Sequence, residues 1–334
     1  MGNATQNRII NVYSSSGDDL MNWKYEGVAF KMPVVPQCNG NGLPGRRVGA
    51  NPDLPLVCYA DRCKVIERPG SSPNRFIMWC KSKPFTSVST ASTPTGPFTL
   101  LNLLLPGGHE TGDISVYADS GGGGTGAYLV LSVHPSSYGF SHNDSRQLKI
   151  FQLSQDWTNV SDTVAERNVT PRWPLPNKYD GKLEAPVVFK PSDAEYAIWA
   201  SHCTYWFPND AYLLTSPSLL SGTYWTPAGN PTNNDTSYGT QSTDIVRVTP
   251  SLSTVPRSGG AGSTAAPSRA GRVGGSNVPA AAAVAVNAKW VYVADQFEPY
   301  ITQNTTGRYV WLPIEQDPVS GKLVVNWYDE WTLA

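Results

Sequence analysis

Four polar residues whose side chains can bind or protonate a polar substrate lie beside apolar, strand-like segments of this chain. They are Glu67 in KVIERPG, Asp113 in ETGDISVYAD, Glu184 in KLEAPVVF and Gln241 in YGTQSTDIV. They follow one another at intervals of 46, 71 and 57 residues. Any one of them alone is explained by an ordinary polar group at a turn or a strand edge. Their recurrence at comparable intervals indicates instead that repeated structural units bring all four to one site.

Glu184 has the most distinctive setting, because it stands at the start of the apolar run APVVF within GKLEAPVVFK. Apolar surroundings disfavour the charged form of a carboxyl group and therefore raise its pKa. A glutamic acid that stays protonated near neutral pH can act as a general acid. The alternative is a strand-edge carboxylate whose head reaches water, and this residue by itself does not decide between the two.

The elements that must position these residues are β-strands. Short runs rich in β-branched and aromatic residues recur along the chain, each bounded by Gly, Pro, Asn, Asp or Ser, which is typical of strands joined by turns. The clearest are RFIMWC (75–80), GAYLVLSV (126–133), QLKIFQL (147–153), EYAIWA (195–200), KWVYVA (289–294) and RYVWLPI (308–314). Helical periodicity is almost absent. The sequence therefore predicts an all-β protein.

A weak repeat predicts how the strands are grouped. Four segments share a Ser/Thr-rich turn, then a small or acidic residue, then an aromatic residue and strand-like residues. They are SSSGDDLMNWKYEG (14–27), STPTGPFTLL (92–101), LSQDWTNVS (153–161) and TSPSLLSGTYWTP (215–227). This spacing suits one four-stranded propeller blade with insertions. Over 334 residues it predicts one domain, a five-bladed β-propeller spanning 1–334 whose first blade is incomplete at the N-terminus. A β-sandwich with long loops is the alternative.

One segment fits neither architecture. Residues 250–286 are rich in Gly, Ser, Ala and Pro, and their only three charges are arginines. The middle of this segment cannot bury enough apolar surface to offset chain entropy. We therefore predict that residues 253–278 form a disordered, low-complexity insertion with no catalytic part.

Composition excludes several classes of partner. The formal net charge is −1 and there is no basic run, which argues against nucleic acid. No apolar run approaches the roughly 20 residues that a membrane span needs. The 5 Cys form no CxxC pair and the 4 His show no ligand spacing, so neither a metal site nor a cofactor is predicted. The 11 Trp and 16 Tyr provide side chains that can stack on sugars.

Two features indicate an extracellular protein. Six Asn lie in N-x-S/T sequons, at positions 3, 143, 159, 168, 234 and 304. With secretion we expect at least one disulfide among the first four cysteines, Cys38, Cys58, Cys63 and Cys80. The chain shows no signal peptide. The expectation is a secreted monomer whose export signal lies outside this chain.

Several segments of the sequence resemble glycoside hydrolase family 43, and most closely its exo-β-1,3-galactanase branch. The matching segments are VYSSSGDDLMNWKYEG, KVIERP, STPTGPF, KLEAPVVFK, SHCTYWFPN, YGTQST, RYVWLPI and WYDEW. They run from about residue 12 to the C-terminus and are interrupted by the insertion. The resemblance implies a five-bladed propeller that hydrolyses glycosidic bonds with inversion at the anomeric carbon, using an acid and a base far enough apart to admit a water, roughly 6.5–9.5 Å.

Transferred position by position, the resemblance implies roles for individual residues. Glu184 becomes the general acid, and Asp113 becomes the carboxylate that orients it and helps to keep it protonated. Glu67 is expected to bind sugar hydroxyls near the cleavage point. Trp206 is expected to form a wall of the sugar pocket, with Tyr205 and Asn209 as further substrate-binding residues.

The identity of the base is open at this stage. The galactanase branch lacks the usual aspartate base, and Gln241 occupies the position thought to place or activate the water. A neutral amide is a poor base, so this role needs an unusual tautomer or a helper carboxylate. The alternative is that Gln241 binds the substrate by hydrogen bonds. One departure from the branch is Gly112, which stands where relatives have Arg immediately before the orienting Asp.

These observations predict a secreted glycosidase that releases galactose from β-1,3-galactan main chains such as those of arabinogalactan proteins, with a polysaccharide or oligosaccharide as its only partner. Arabinofuranosides, β-xylosides or galactofuranosides are the alternative substrates on the same scaffold. A non-catalytic sugar-binding propeller is the alternative of another class. Because the chain enters its first blade at NVYSSS, we also expect an exposed sheet edge there and weak activity.

Overall fold

The computed structural model describes residues 9–15, 22–33, 60–70, 73–82, 84–119, 126–133, 147–164, 166–169, 182–204, 208–220, 225–248, 284–286, 289–296 and 308–333. These residues form β-strands and two short 3-10 turns, at 106–108 and 237–239. None of their helical segments is long and apolar enough to cross a membrane. All six of the predicted strand-like runs are strands, so the all-β prediction is confirmed. The predicted insertion at 253–278 lies outside the described residues.

Four antiparallel sheets of four strands each form the propeller blades. Blade 1 contains β3 (Asp61–Glu67), β4 (Phe76–Ser82), β5 (Phe85–Ala91) and β6 (Thr99–Leu104). Blade 2 contains β7 (Thr111–Ala118), β8 (Ala127–Val133), β9 (Gln147–Gln152) and β10 (Arg167–Asn168). Blade 3 contains β11 (Leu183–Ser192), β12 (Glu195–His202), β13 (Ala211–Ser216) and β14 (Thr226–Gly229). Blade 4 contains β15 (Thr240–Arg247), β17 (Trp290–Gln296), β18 (Arg308–Gln316) and β19 (Leu323–Val324).

Two smaller sheets accompany the blades. An antiparallel pair is formed by β1 (Ile9–Ser15) and β2 (Trp23–Lys31), and a parallel pair by β16 (Val284–Val286) and β20 (Trp331–Leu333). The β1–β2 pair contributes Ala29 and Phe30 to an apolar layer shared with blade 1. Its Trp23 ring also lies 5.7 Å from the ring of Trp311 in blade 4. The pair therefore contacts both the first and the last blade.

The prediction of five blades is wrong for the described part of the chain, which contains four. The sequence repeat marks the turn between the third and fourth strands of blades 1, 2 and 3. Its first copy, at 14–27, instead joins β1 to β2. The repeat thus counted as an additional, incomplete blade a pair that forms a separate two-stranded sheet.

Apolar layers between neighbouring blades explain why the strands read as continuous hydrophobic runs. Side chains alternate across a strand, so consecutive residues face the two blades on either side. In β8, Leu129 and Leu131 pack in the layer between blades 1 and 2, whereas Val130 packs in the layer between blades 2 and 3. Between blades 3 and 4 the rings of Trp199 and Tyr292 are stacked at 4.6 Å.

The first strand of every blade lies at the centre of the molecule and carries an irregularity near its beginning. The pairing register shifts between Asp61 and Lys64 in β3 and between Thr111 and Ile114 in β7. It also shifts after Glu184 in β11 and after Ser242 in β15. A register shift of this kind re-aims side chains that regular pleating would send into the blade interface.

A disulfide joins the first two strands of blade 1. Cys63 in β3 is bonded to Cys80 in β4. The expectation of at least one disulfide among the first four cysteines is thereby confirmed. The bond fixes β3 immediately beside its register shift, and so it limits the movement of the residues that β3 presents to the centre.

Gly112 is required by close backbone approach, and its replacement should be costly. A Cβ built on Gly112 in β7 would lie 2.1 Å from the carbonyl oxygen of Ser132 in β8. Backbone cannot move aside as a flexible side chain can, so we expect Gly112→Ala to lower the free energy of unfolding by about 1–3 kcal/mol. Gly126→Ala is the control, because its Cβ would meet only the hydroxyl end of Tyr128, at 3.0 Å. Equal melting temperatures for the two variants would contradict the steric explanation.

Candidate active site

Side chains from all four inner strands meet at the centre of the propeller. Arg62 of β3, Asp113 of β7, Glu184 of β11 and Gln241 of β15 are linked by hydrogen bonds and ion pairs, and we call these four residues the axial cluster. Each stands at the second or third position of its strand, beside the register shift. Three of the four polar residues singled out in the sequence are therefore brought together.

Asp113 is the buried carboxylate of the axial cluster, with a side chain that is only 6% exposed. Its Oδ1 lies 2.7 Å from Nζ of Lys81 and 3.3 Å from Nε of Arg62. Its Oδ2 accepts a hydrogen bond from the backbone N–H of Ala185, at 3.1 Å. Two cations and a backbone donor favour the ionised form of a carboxyl group. Asp113 thus presents a fixed negative charge directly beside the strand that carries Glu184.

Gln241 connects Glu184 to its surroundings through both ends of its amide. Its Nε2 donates to Oε1 of Glu184 at 3.1 Å and to Oγ of Ser201 at 3.1 Å. Its Oε1 accepts a hydrogen bond from a terminal nitrogen of Arg62. A guanidinium group has no acceptor, so the amide atom that faces it must be the oxygen. The network therefore determines which way the amide points.

Glu184 is buried next to the register shift in β11. It lies opposite Ser201 in the pairing of β11 with β12, and it is followed by Ala185, whose φ of 49° is unusual for a residue with a Cβ. Because an N–H donor faces Oε1, a proton on this carboxyl group belongs on Oε2. The residue has the burial and the hydrogen bonding that suit a proton donor in a water-poor site.

Arg62 carries the positive charge of the axial cluster, and its side chain is 12% exposed. One terminal nitrogen donates to the backbone oxygen of Ser242 in β15, at 2.9 Å. Burial lowers the pKa of Arg62, but four acidic residues raise it by more, so the net shift of this pKa is upward. In order of effect, these are Asp113, Asp295, Asp61 and Glu184. Arg62 is thus surrounded by acidic side chains from β7, β17, β3 and β11.

A second carboxylate lies beside the axial cluster, one strand further out. Asp295 of β17 stands directly opposite Gln241 in the pairing of β15 with β17. Burial raises the pKa of Asp295, an effect that Arg62 and Lys64 partly offset and Asp61 reinforces. A carboxylate with a raised pKa is a better proton acceptor than an ordinary surface aspartate. It is therefore a candidate for the helper carboxylate that a glutamine would need.

Glu67 does not join the axial cluster. It is the last residue of β3, at the opposite end of the strand from Arg62, and its side chain is 54% exposed. Its carboxylate lies 3.2 Å from Nε of Arg75. The geometry thus gives no support to the expectation that Glu67 binds sugar near the cleavage point, and the position in blade 1 that matches the other cluster residues is Arg62.

Asn209 is buried, and its amide binds the protein itself. Its Oδ1 accepts from the backbone N–H of His202 at 3.0 Å, and its Nδ2 donates to the carbonyl of His202 at 2.9 Å and to Oγ1 of Thr204 at 2.7 Å. These bonds close the loop between β12 and β13. Asn209 therefore shapes that loop, and Tyr205 and Trp206 on the same loop lie outside the described residues.

Sequence reasoning missed three residues of this site: Arg62, Lys81 and Ser201. Lys81 and Ser201 stand on second strands and reach the centre only because their blades are paired in this register. A signal for Arg62 was present in DRCKVIE. Counting from the start of each inner strand, rather than choosing the acidic residue nearest the next strand, places Arg62 level with Glu184 and Gln241.

The fold and the axial cluster define a β-propeller with a buried carboxyl group at the centre. Solved structures that resemble it include glycoside hydrolases. No protein-family profile and no curated protein matches this chain. A GH43 β-1,3-galactosidase matches with a TM-score of 0.63 and 22% identity over 97% of this chain. A second GH43 β-1,3-galactosidase, solved with galactodeoxynojirimycin, matches with a TM-score of 0.64 and 21% identity over 98% of this chain and 87% of its own.

The exo-β-1,3-galactanase from Phanerochaete chrysosporium, solved with β-1,3-galactotriose, gives a TM-score of 0.60 and 21% identity over 95% of this chain. This chain spans about half the length of two of these proteins, 56% of the galactanase and 54% of the first galactosidase. The resemblance to the galactan-cleaving branch of family 43 is confirmed at the level of the fold.

Proposed function

We propose that this protein is a glycoside hydrolase. The observation that carries the proposal is the buried carboxyl group of Glu184, hydrogen-bonded by Gln241 and adjacent to the ionised Asp113 at the centre of a propeller. A carboxyl group in such a setting suits proton donation to a leaving oxygen. A protein that only binds sugar has no need of a buried acid beside a fixed negative charge.

The substrate we propose is the β-1,3-galactan main chain, from which galactose is released at one end with inversion. The support comes from the structural neighbours, which are β-1,3-galactosidases and an exo-β-1,3-galactanase. In this scheme Glu184 donates its proton to the glycosidic oxygen as the bond to the anomeric carbon breaks. Water attacks that carbon from the opposite face and loses a proton to a base on that side.

Two groups are available to orient or deprotonate the attacking water. Gln241 lies at the centre, but its oxygen and both its N–H groups already have protein partners. Asp295 lies opposite it in the sheet and is an ionisable group. We therefore assign Gln241 the task of holding Glu184 and treat Asp295 as the proton acceptor to be tested by Asp295→Asn.

The experiment is to incubate the protein with a panel of oligosaccharides and to identify the sugar released. The panel contains β-1,3-galactotriose, arabino-oligosaccharides, xylo-oligosaccharides and a galactofuranoside, with Glu184→Gln as the control. We expect galactose from the first substrate only, appearing as the α-anomer in proton NMR spectra. Binding without release of any sugar would favour the sugar-binding alternative, and release of arabinose or xylose would overturn the substrate assignment.

We further propose that the protein is secreted and monomeric. The Cys63–Cys80 disulfide supports an oxidising compartment, since such bonds are rare in reducing ones. The six sequons point the same way. Mass spectrometry of protein made in a eukaryotic secretory host, together with size-exclusion chromatography, tests glycan attachment and oligomeric state.

A further inference from the structure

Arg62 joins its own inner strand to two others, β7 and β15. From β3 its guanidinium group contacts Asp113 of β7, the backbone oxygen of Ser242 in β15 and the side-chain oxygen of Gln241. Its own φ is 48°, a left-handed conformation that residues with a Cβ rarely adopt. The backbone thus accepts an unfavourable conformation at the point where this side chain turns toward the centre.

We propose that Arg62 is a positioning residue for the proton donor, acting on Glu184 through the orientation of the Gln241 amide. This inference rests on the proposed glycosidase function and adds to it a residue that fixes the geometry of the acid. Arg62 does not contact the reacting atoms in this arrangement. It determines which end of Gln241 faces Glu184.

The chemistry of the three groups permits one orientation of the amide. With Oε1 toward Arg62, the amide accepts from a cation and donates to a carboxyl group, and both hydrogen bonds are favourable. If the amide were rotated by 180°, its N–H groups would face the guanidinium donors and its oxygen would face Oε1 of Glu184. Removing Arg62 deletes the preference at one end of the amide and leaves only Ser201 and Glu184 to orient the other.

A second interaction between β3 and β15 makes it possible to distinguish a positioning role of Arg62 from a purely structural one. Lys64, two residues further along β3, donates to the backbone oxygen of Thr243 and lies 3.1 Å from Oδ2 of Asp244, both in β15. Lys64 thus joins β3 to β15 as Arg62 does, but among the described residues it makes no hydrogen bond to Gln241. Replacement of Lys64 therefore weakens the contact between β3 and β15 but leaves Arg62 in place to orient the Gln241 amide.

The test compares Arg62→Met and Arg62→Lys with Lys64→Met in the full chain. Each is assayed on β-1,3-galactobiose, which needs a proton on its leaving group, and on an aryl β-galactoside with a very acidic leaving group, which does not. We expect Arg62→Met to lose about 10²-fold in kcat on galactobiose and less than about tenfold on the aryl galactoside, with KM nearly unchanged. Arg62→Lys, which keeps one donor, should fall between Arg62→Met and the wild type. Lys64→Met, which removes a charge that acts on Asp295, should lose equally on the two substrates and less than Arg62→Met on galactobiose.

Equal losses of Arg62→Met on the two substrates, or equal losses of Arg62→Met and Lys64→Met on galactobiose, would overturn the proposal in favour of a structural role. A wild-type protein that releases no sugar would defeat the proposed function. The positioning role of Arg62 is then tested by a measurement that does not depend on activity. In that case the side-chain amide NMR signals of Gln241, assigned by their loss in Gln241→Glu, provide the readout. We expect two resolved, exchange-protected protons in the wild type and loss of that protection in Arg62→Met. Unchanged signals in Arg62→Met would overturn the positioning role whatever the enzyme does.

Discussion

Glu184→Gln should remove nearly all hydrolysis of unactivated galactosides while leaving the fold intact. The glutamine side chain keeps the shape of glutamate but has no proton to give to the departing oxygen. Positioned acid catalysis typically contributes about 10²–10⁴-fold, and we expect kcat to fall within that range. The measurement is initial rates of galactose release from β-1,3-galactobiose, with thermal unfolding recorded on the same samples.

The control for this variant is the leaving group. An aryl galactoside that departs as a stable phenolate needs no proton, so its cleavage should be largely spared in Glu184→Gln. A second control is Glu195→Gln, which changes a carboxyl group at the outer end of the β11–β12 hairpin. If Glu184→Gln lost less than tenfold on galactobiose, Glu184 would not be the acid.

Asp113→Asn should be the most destabilising change in the axial cluster. Asp113 neutralises Lys81 and Arg62, whose side chains are only 18% and 12% exposed. Removal of one partner from a largely buried group of charges leaves the others uncompensated, and this typically costs about 3–5 kcal/mol. Because both cations retain some contact with water, we expect the free energy of unfolding to fall by about 3 kcal/mol. Activity should fall as well, since the fixed charge beside Glu184 is lost.

The comparison for this prediction is Glu67→Gln, measured by urea unfolding at equal pH and salt. Glu67 also pairs with a cation, Arg75 at 3.2 Å, but both side chains are about half exposed. Exposed ion pairs contribute about 0–1 kcal/mol, so this variant should differ little from the wild type. Similar stabilities for Asp113→Asn and Glu67→Gln would show that Lys81 and Arg62 become hydrated when Asp113 is neutralised.

Sequence alone predicted the strands and most of the cluster. Glu184, Asp113 and Gln241 were identified because each stands at the start of an apolar run, and inner strands buried on both faces produce such runs. The side-chain pairing inside the cluster could not be predicted, since it depends on register shifts that change the direction of two or three residues in each strand. Glu67 shows this limit. It is acidic and borders an apolar strand, but it stands at the other end of β3.

The number of blades could not be predicted from the sequence, for a different reason. Turn residues recur wherever two outer strands are joined, so the repeat counts outer hairpins rather than complete sheets. The β1–β2 pair has such a turn and is not one of the four-stranded sheets. A count of inner strands, which begin at Asp61, Thr111, Leu183 and Thr240, gives four.

The register shifts at the starts of the inner strands have an evolutionary consequence. Residues within such a shift are outside the regular ladder, so exchanging their side chains changes the chemistry at the centre without breaking the pairing that holds each blade together. The core and the site are then under separate selection. A scaffold of this kind can acquire a new substrate by a few substitutions at positions such as 62 and 113, and the stability cost of each is set by its local charges rather than by the sheet.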